Sequence, residues 1–148
     1  MRLLTGCLAA ALTTLAIVAA ETANTTAPAT VKIEQTPSLG KVIANAKGRT
    51  LYLFRGDSGT KSACYGRCAQ YWPPLLTTGK PVAAGGALAS LLGTAKRKDG
   101  TTQVTYKGHP LYTFAEDKQA GQTTGEGSDG FGAHWYALAP SGSTIDKD

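Results

Sequence analysis

The side chains whose types could support chemistry form three pairs, of cysteines, histidines and aspartates. They are Cys64 and Cys68, His109 and His134, and Asp57 and Asp117. Such pairs can form a disulfide, contribute to a metal site, or act as acid–base carboxylates. Which of these reactions or sites can form depends on the compartment of the protein and on the secondary-structure elements that position each pair.

The first twenty residues have the anatomy of a secretory signal peptide. A positively charged start precedes an apolar, uncharged run, and small residues before Glu21 suit cleavage after Ala20. Cys7 stands in a box like that of bacterial lipoproteins, but only six residues precede it, which disfavours a lipid anchor there. No later stretch is long and apolar enough to span a membrane. We therefore expect an exported protein, periplasmic or extracellular, with no transmembrane segment in the mature chain.

The charge balance is mildly basic, with 15 Lys and Arg against 10 Asp and Glu and a net charge of +5. The basic residues are dispersed, except for the run Lys96-Arg97-Lys98. We interpret this run as a solvated strand edge rather than a surface for an anionic envelope polymer. Export and the dispersed charge both argue against a nucleic-acid partner.

Cys64 and Cys68 are expected to form a disulfide in an oxidising compartment. On a distorted helical turn, two positions four residues apart fall within the span that a disulfide can bridge. The alternative is a metal or redox site that combines both cysteines with His109 and His134, although the spacing is loose and oxidation competes. Covalent haem has no support, because no Cys-x-x-Cys-His occurs and the only methionine is Met1. We predict no cofactor and no metal.

Asp57 and Asp117 could be imagined as a catalytic carboxylate pair, which in retaining glycosidases would stand about 5 Å apart. The interpretation that we favour is structural: each aspartate ends an aromatic strand and accepts hydrogen bonds from turn N–H groups. A serine hydrolase is also unsupported, because no Gly-x-Ser-x-Gly occurs. No catalytic residue is predicted.

The elements around these residues are built on a repeat. The stretch Gly48–Asp57 (GRTLYLFRGD) returns in outline as Gly108–Asp117 (GHPLYTFAED). The recurring residues are Tyr52, Phe54 and Asp57 in the first copy, and Tyr112, Phe114 and Asp117 in the second. Alternation places each Tyr–Phe pair on one face of a strand and the leucines on the other. We predict that both faces are covered and that the Tyr–Phe stripe is shared core, as are most of the other aromatic residues.

The fold predicted from these patterns is mainly β, with antiparallel hairpins and a meander in two pseudo-repeated units. A single domain would cover residues 31–142, with repeats at about 41–75 and 94–138. Residues 21–30 are predicted as a flexible linker and residues 143–148 as a disordered tail.

Turn signals divide each repeat further. In the first repeat a hairpin would turn at Lys47-Gly48, which places Ile43 on the Tyr–Phe face. In the second repeat a meander would turn at Asp99-Gly100 and Lys107-Gly108. One or two short helical turns are expected, within residues 62–75 and 87–92, the latter capped by Gly93. A mobile glycine-rich loop over residues 119–132 would lead into a closing strand from Phe131 to Leu138.

These motifs together resemble a family of bacterial secreted proteins and lipoproteins of unknown function that carry a repeated Tyr-x-aromatic-x-x-Asp motif. The resemblance also rests on Cys64-x-Gly66-x-Cys68-Ala69, on Trp72-Pro73-Pro74-Leu75 and on Asp99-Gly100-x-x-Gln103-Val104-Thr105-Tyr106. It covers about Val31–Gly142. The resemblance implies an exported, repeat-built domain, and it brings no established substrate and no catalytic residues.

The function we expect is that of an exported, non-enzymatic binding or interaction domain of the cell envelope, whose partner is an envelope component or a small ligand. The alternative is a periplasmic redox or metal-handling protein that uses Cys64, Cys68, His109 and His134.

Overall fold

The computed structural model describes residues 27–146. The predicted signal peptide, Cys7 and residues 21–26 of the predicted linker lie outside this range. Within it the strands are β1 (Thr30–Thr36), β2 (Gly40–Asn45), β3 (Tyr52–Phe54), β4 (Val82–Ala83), β5 (Leu92–Lys96), β6 (Thr102–Tyr106), β7 (His109–Pro110), β8 (Asp129–Gly130) and β9 (Ala133–Ala137). One short helix, α1 (Arg67–Tyr71), and one 3-10 turn (Ala89–Leu91) interrupt them.

The strands form three small sheets, with the orders β2-β1-β4, β3-β9-β8 and β5-β6-β7. All neighbouring pairs are antiparallel except β1 and β4, which run parallel. The prediction of a mainly β fold, rich in antiparallel hairpins and containing one or two short helical turns, is therefore confirmed.

Strand β3 separates two hydrophobic clusters, one on each of its faces. The aromatic cluster consists of buried Val42, Tyr52, Phe54, Cys64, Cys68, Trp72, Tyr112, Trp135 and Ala137, with Leu39, Phe114, Ala133 and Ile145 packed against it. The aliphatic cluster has buried Val31, Ile43, Leu51, Leu53, Val104, Tyr106, Leu111 and Leu138. This division confirms the predicted Tyr–Phe and leucine faces, because alternate residues of a strand point to opposite sides.

The turn after β2 is one residue longer than the predicted Lys47-Gly48 turn. Asn45 N donates to Arg49 O at 2.9 Å, so residues 46–48 all lie between the paired positions. Gly48 is the last of the three and has a φ of 79°. Glycine adopts this left-handed conformation without steric cost, and it is typical of three-residue hairpin loops.

The longer turn reverses the predicted faces of β2. Thr50, and not Leu51, lies opposite Ala44. A change of register by one residue moves every side chain to the other face. Ile43, predicted beside the tyrosine stripe, therefore packs in the aliphatic cluster, and Val42 takes its place in the aromatic one. Beyond this bridge β3 pairs with β9 rather than with β2.

The predicted meander is present as β5, β6 and β7. Its Asp99-Gly100 turn contains the same extra residue as the first turn, because Arg97 N donates to Thr101 O at 2.9 Å. The Lys107-Gly108 turn has the predicted two-residue form, and β6 and β7 pair directly on either side of it.

Both helical segments fall within the ranges predicted for them. Helix α1 lies inside residues 62–75 and the 3-10 turn inside residues 87–92. Gly93 does not cap the turn as predicted but belongs to β5, where a Cβ atom would come within 2.8 Å of Thr105 Oγ1 on β6. No helix within residues 27–146 has the length and apolar character needed to cross a membrane.

Two C-terminal predictions need correction. The segment over residues 119–132 contains β8, and Phe131 lies in the turn between β8 and β9, so the closing strand begins at Ala133. Part of the predicted tail is paired, because Ile145 N donates to Ala137 O at 3.0 Å. The side chain of Ile145 packs against the aromatic cluster.

Candidate functional site

The two copies of the repeated motif pair with each other at their tyrosines. Tyr52 N donates to Tyr112 O at 2.8 Å, and Tyr112 N donates to Tyr52 O at 3.0 Å. This reciprocal antiparallel contact gives the two copies an approximate twofold relation.

The tyrosine hydroxyls cross between the copies. The Tyr52 hydroxyl donates to Asp117 Oδ2 at 2.6 Å, and the Tyr112 hydroxyl donates to Asp57 Oδ2 at 2.8 Å. The pKa of each tyrosine is raised, first because burial disfavours the phenolate; the hydrogen bond and negative charge of the partner aspartate add to the rise. Each motif therefore needs the other copy to complete its hydrogen bond.

Each aspartate also accepts a backbone N–H group from the segment that follows it. Ala63 N donates to Asp57 Oδ1 at 2.8 Å, and Thr124 N donates to Asp117 Oδ1 at 2.9 Å. The donors around both carboxylates thus come from the fold itself, which agrees with the structural interpretation of these residues.

An aromatic stack spans the junction between the copies. Phe54 stacks on Trp135 with 4.1 Å between ring centroids, Trp135 on Trp72 at 4.0 Å, and Trp72 on Phe114 at 4.2 Å. Tyr52 meets Trp72 edge-on at 5.4 Å. The stack joins the two copies through their tryptophans, one from each.

The sequence analysis missed the pairing of these tryptophans. A signal was present: Trp72-Pro73-Pro74-Leu75 and Trp135-Tyr136-Ala137-Leu138 share the pattern Trp-x-x-Leu. Each follows the aspartate of its own motif, so the matching residues continue past Asp57 and Asp117 to the end of each predicted repeat.

A buried arginine is linked by hydrogen bonds to the pair formed by Tyr112 and Asp57. Arg97 is 5% exposed and donates to Ser62 Oγ at 2.9 Å, to Gln103 Oε1 at 2.7 Å and to Cys64 O at 2.6 Å. Ser62 Oγ in turn lies 2.7 Å from the Tyr112 hydroxyl. The prediction that the basic run is a solvated edge is therefore wrong for its central residue, whose donors replace water with protein acceptors.

Cys64 and Cys68 form the predicted disulfide, with their Cα atoms 5.2 Å apart. Cys64 is fully buried and Cys68 is 6% exposed. Both belong to the aromatic cluster, so the bridge fixes the start of α1 against the core.

The histidines do not join the cysteines in a metal site. Across residues 27–146 no group of three or more His, Cys, Asp or Glu side chains is arranged to hold a metal ion. The pKa of His109 is lowered, first by burial and then by the charges of Arg55 and Lys107. His134 is exposed.

A groove of about 430 Å³ opens where the two copies meet, beside one end of the aromatic stack. This junction groove is lined by Arg67, Tyr71, Trp72, Phe114, Ser128, Asp129, Gly130 and Phe131. Tyr71 and Phe131 are 40% and 46% exposed, and their ring centroids lie 6.0 Å apart. Two further cavities of about 510 Å³ lie near β5, and neither is lined by an aromatic side chain.

Phe131 adopts a left-handed backbone conformation that is unfavourable for a bulky side chain. It precedes Gly132 in the two-residue turn between Gly130 and Ala133, with a φ of 58°. Turns of this kind prefer Asn, Asp or Gly at that position, and a bulky residue with positive φ is strained. Holding a bulky residue at positive φ costs folding free energy, and residues strained in this way cluster at functional sites.

A family model described as a secreted repeat of unknown function matches residues 35–76 and 93–139. These two matches cover more than half of the chain. The chain belongs to this secreted-repeat family. The resemblance drawn from the motifs is confirmed, and the family description supports export without separating a periplasmic from an extracellular location. No curated protein and no solved structure matches the chain.

The family matches also describe the repeat unit. Each begins in or near the first strand of a hairpin, β1 or β5, and ends just after a Trp-x-x-Leu segment. The junction groove is therefore built from both family units, with Arg67, Tyr71 and Trp72 from the first and Phe114 and residues 128–131 from the second.

Proposed function

We propose that this protein is an exported, non-enzymatic binding domain of the cell envelope and that its ligand occupies the junction groove. The observation that carries the proposal is Phe131, which exposes an aromatic ring from a strained turn into the groove. Phe131 and the adjacent Tyr71 form an exposed apolar patch next to polar residues, and such patches mark interaction sites.

The position of the groove supports the same role. It lies between two repeated units, and ligand sites are common at such interfaces. One of its lining residues, Trp72, is 3% exposed and held in the stack, so that part of the site is in place before a ligand arrives. A preformed site limits the entropy lost on binding.

The acid–base groups described above do not point to catalysis. Both motif aspartates are engaged by tyrosine hydroxyls and backbone N–H groups within the fold. In these bonds the aspartates act only as acceptors within the fold, and neither residue lines the junction groove.

The test uses a defined panel of ligands: neutral oligosaccharides, short peptides and small aromatic compounds, measured by NMR titration. Phe131→Asn should keep the fold, because asparagine suits the left-handed turn, and should lose binding. Lys107→Asn is the matched control, since Lys107 precedes Gly108 in an equivalent turn with a φ of 50°. A panel in which no compound binds in a Phe131-dependent way would exclude the groove as the ligand site.

A further inference from the structure

We propose that the ligand of the junction groove is an uncharged carbohydrate chain whose pyranose rings stack on Tyr71 and Phe131. This inference rests on the binding role proposed above and assigns the chemical class of the ligand.

The geometry of the exposed rings favours a ligand that is not flat. The planes of Tyr71 and Phe131 are tilted by 43° to each other. A planar aromatic compound would fit best between parallel walls, where it could stack on both. Tilted platforms instead suit successive units of a puckered chain, because each pyranose ring presents an apolar face of C–H groups to one aromatic ring.

The polar groups at the rim offer both kinds of hydrogen bond. Arg67 has only donors, Asp129 has only acceptors when ionised, and the Ser128 hydroxyl can do either. Sugar hydroxyls donate and accept, so they can use all three. A few placed polar groups around an apolar floor are the usual means by which a site orients such a ligand.

A second concavity extends the site beyond Tyr71. It has a volume of about 210 Å³ and is lined by Arg67, Gln70, Tyr71, Ala115, Glu116 and Lys118. Both concavities are lined by Arg67 and Tyr71, so they adjoin each other at these two residues. A ligand that fills both must be long enough to extend past Tyr71, as a chain of several sugar units is.

The charges along the whole site cancel. The two concavities together contain the cations Arg67 and Lys118 and the anions Asp129 and Glu116. A strongly charged polymer would meet repulsion as well as attraction along this path. The balance therefore favours a neutral chain, despite the basic character of the protein as a whole.

The experiment is isothermal titration of the exported domain with two neutral tetrasaccharides, one of β-1,4-linked N-acetylglucosamine and one of β-1,4-linked glucose. The first represents the sugar chemistry of a bacterial wall and the second that of an external polysaccharide. At least one should bind the wild type. Phe131→Asn and Tyr71→Ala should each weaken that binding at least tenfold, while Lys107→Asn should leave it unchanged.

The same variants are titrated with indole and with an aromatic-rich tetrapeptide. Binding of either that depends on Phe131, without binding of the sugars, would overturn the carbohydrate class and leave the binding function standing. Sugar binding that is equal in wild type and Phe131→Asn would place the sugars elsewhere and overturn this inference. Absence of Phe131-dependent binding by all four probes would count against both proposals.

Discussion

Each copy of the motif ends in an aspartate, Asp57 in the first and Asp117 in the second, yet the two carboxylates have different surroundings. Asp117 is 1% exposed, and it accepts from Tyr52 and from both the N–H and hydroxyl groups of Thr124. Asp57 is only partly buried and accepts from Tyr112 and Ala63.

The ways in which the two ends are supported differ as well. The guanidinium group of Arg97 is linked to Asp57 by hydrogen bonds through Ser62 and then Tyr112. The pKa of Asp57 is nevertheless raised, because its partial burial outweighs the lowering by Ala63, Tyr112 and Arg97. At Asp117 the supporting arginine is Arg49, whose Nη1 donates to the backbone carbonyl of Asp117 and not to its side chain. The repeated motif thus fixes the tyrosine–aspartate bond, while residues that the two copies do not share, such as Arg49 and Arg97, support the two bonds differently.

Among matched substitutions in the two copies, those of the phenylalanines should differ most in the free energy of unfolding that they cost. Phe54 is 4% exposed, whereas Phe114 is only partly buried beside the junction groove. Phe54→Ala should lower the free energy of unfolding by about 3–5 kcal/mol, and Phe114→Ala by roughly half as much, because less apolar area is lost. Chemical denaturation of both variants measures this. Equal losses would show that the two ends of the stack are equally packed.

A smaller difference in stability between the copies is expected when the tyrosine hydroxyls that bond to the opposite aspartates are removed. Tyr52→Phe leaves a buried carboxylate short of one donor and should cost about 2–3 kcal/mol. Tyr112→Phe should cost about 1 kcal/mol, because water can reach the partly exposed Asp57 in place of the hydroxyl. Thermal and chemical denaturation of the two variants compare them directly. A larger loss for Tyr112→Phe would mean that the Arg97 network, and not burial, dominates.

The disulfide lies in the first copy, so reduction should loosen that half first. Closing so short a loop stabilises the fold by about 2 kcal/mol in the chain-entropy model. Reduced protein should therefore unfold at lower denaturant, with amide exchange accelerated first around α1. The Cys64→Ala/Cys68→Ala double variant is the control and should not respond to reductant. Intact mass, about two units lower before reduction than after it, verifies that the bridge had formed.

The smallest effect concerns Glu126, a carboxyl group of the second copy. Its Oε2 atom accepts from Ala137 N at 2.6 Å, while Oε1 is buried without a partner among the described residues. Burial raises its pKa to about 7; the Ala137 hydrogen bond opposes this and the charge of Asp146 adds to it.

Because the folded pKa of Glu126 is above the unfolded value, its stabilising contribution is complete at acidic pH and is lost as pH rises through about 7. Solvent screening of this partly buried group limits the change to about 1 kcal/mol. Glu126→Gln should remove that part of the pH dependence of the melting temperature between pH 4.5 and pH 8. Parallel curves for variant and wild type would contradict the assignment.

The sequence was sufficient to predict the mainly β class, the repeated motif and the two faces of its strands. These follow from local stereochemistry: alternation in an extended chain places Tyr52 and Phe54 on one side and Leu51 and Leu53 on the other, whatever the strand pairs with. The disulfide was predictable for the same reason, because its two cysteines are close along the chain.

The tertiary structure decided the register of the strands and which distant residues come into contact. The turns at Gly48 and Gly100 each hold one more residue than predicted, since glycine suits both two- and three-residue loops and the sequence does not choose between them. The crossing of the tyrosines to the opposite aspartates, the burial of Arg97 and the junction groove all join residues far apart in the chain. Such contacts depend on how the two copies pack together, and no local pattern records that.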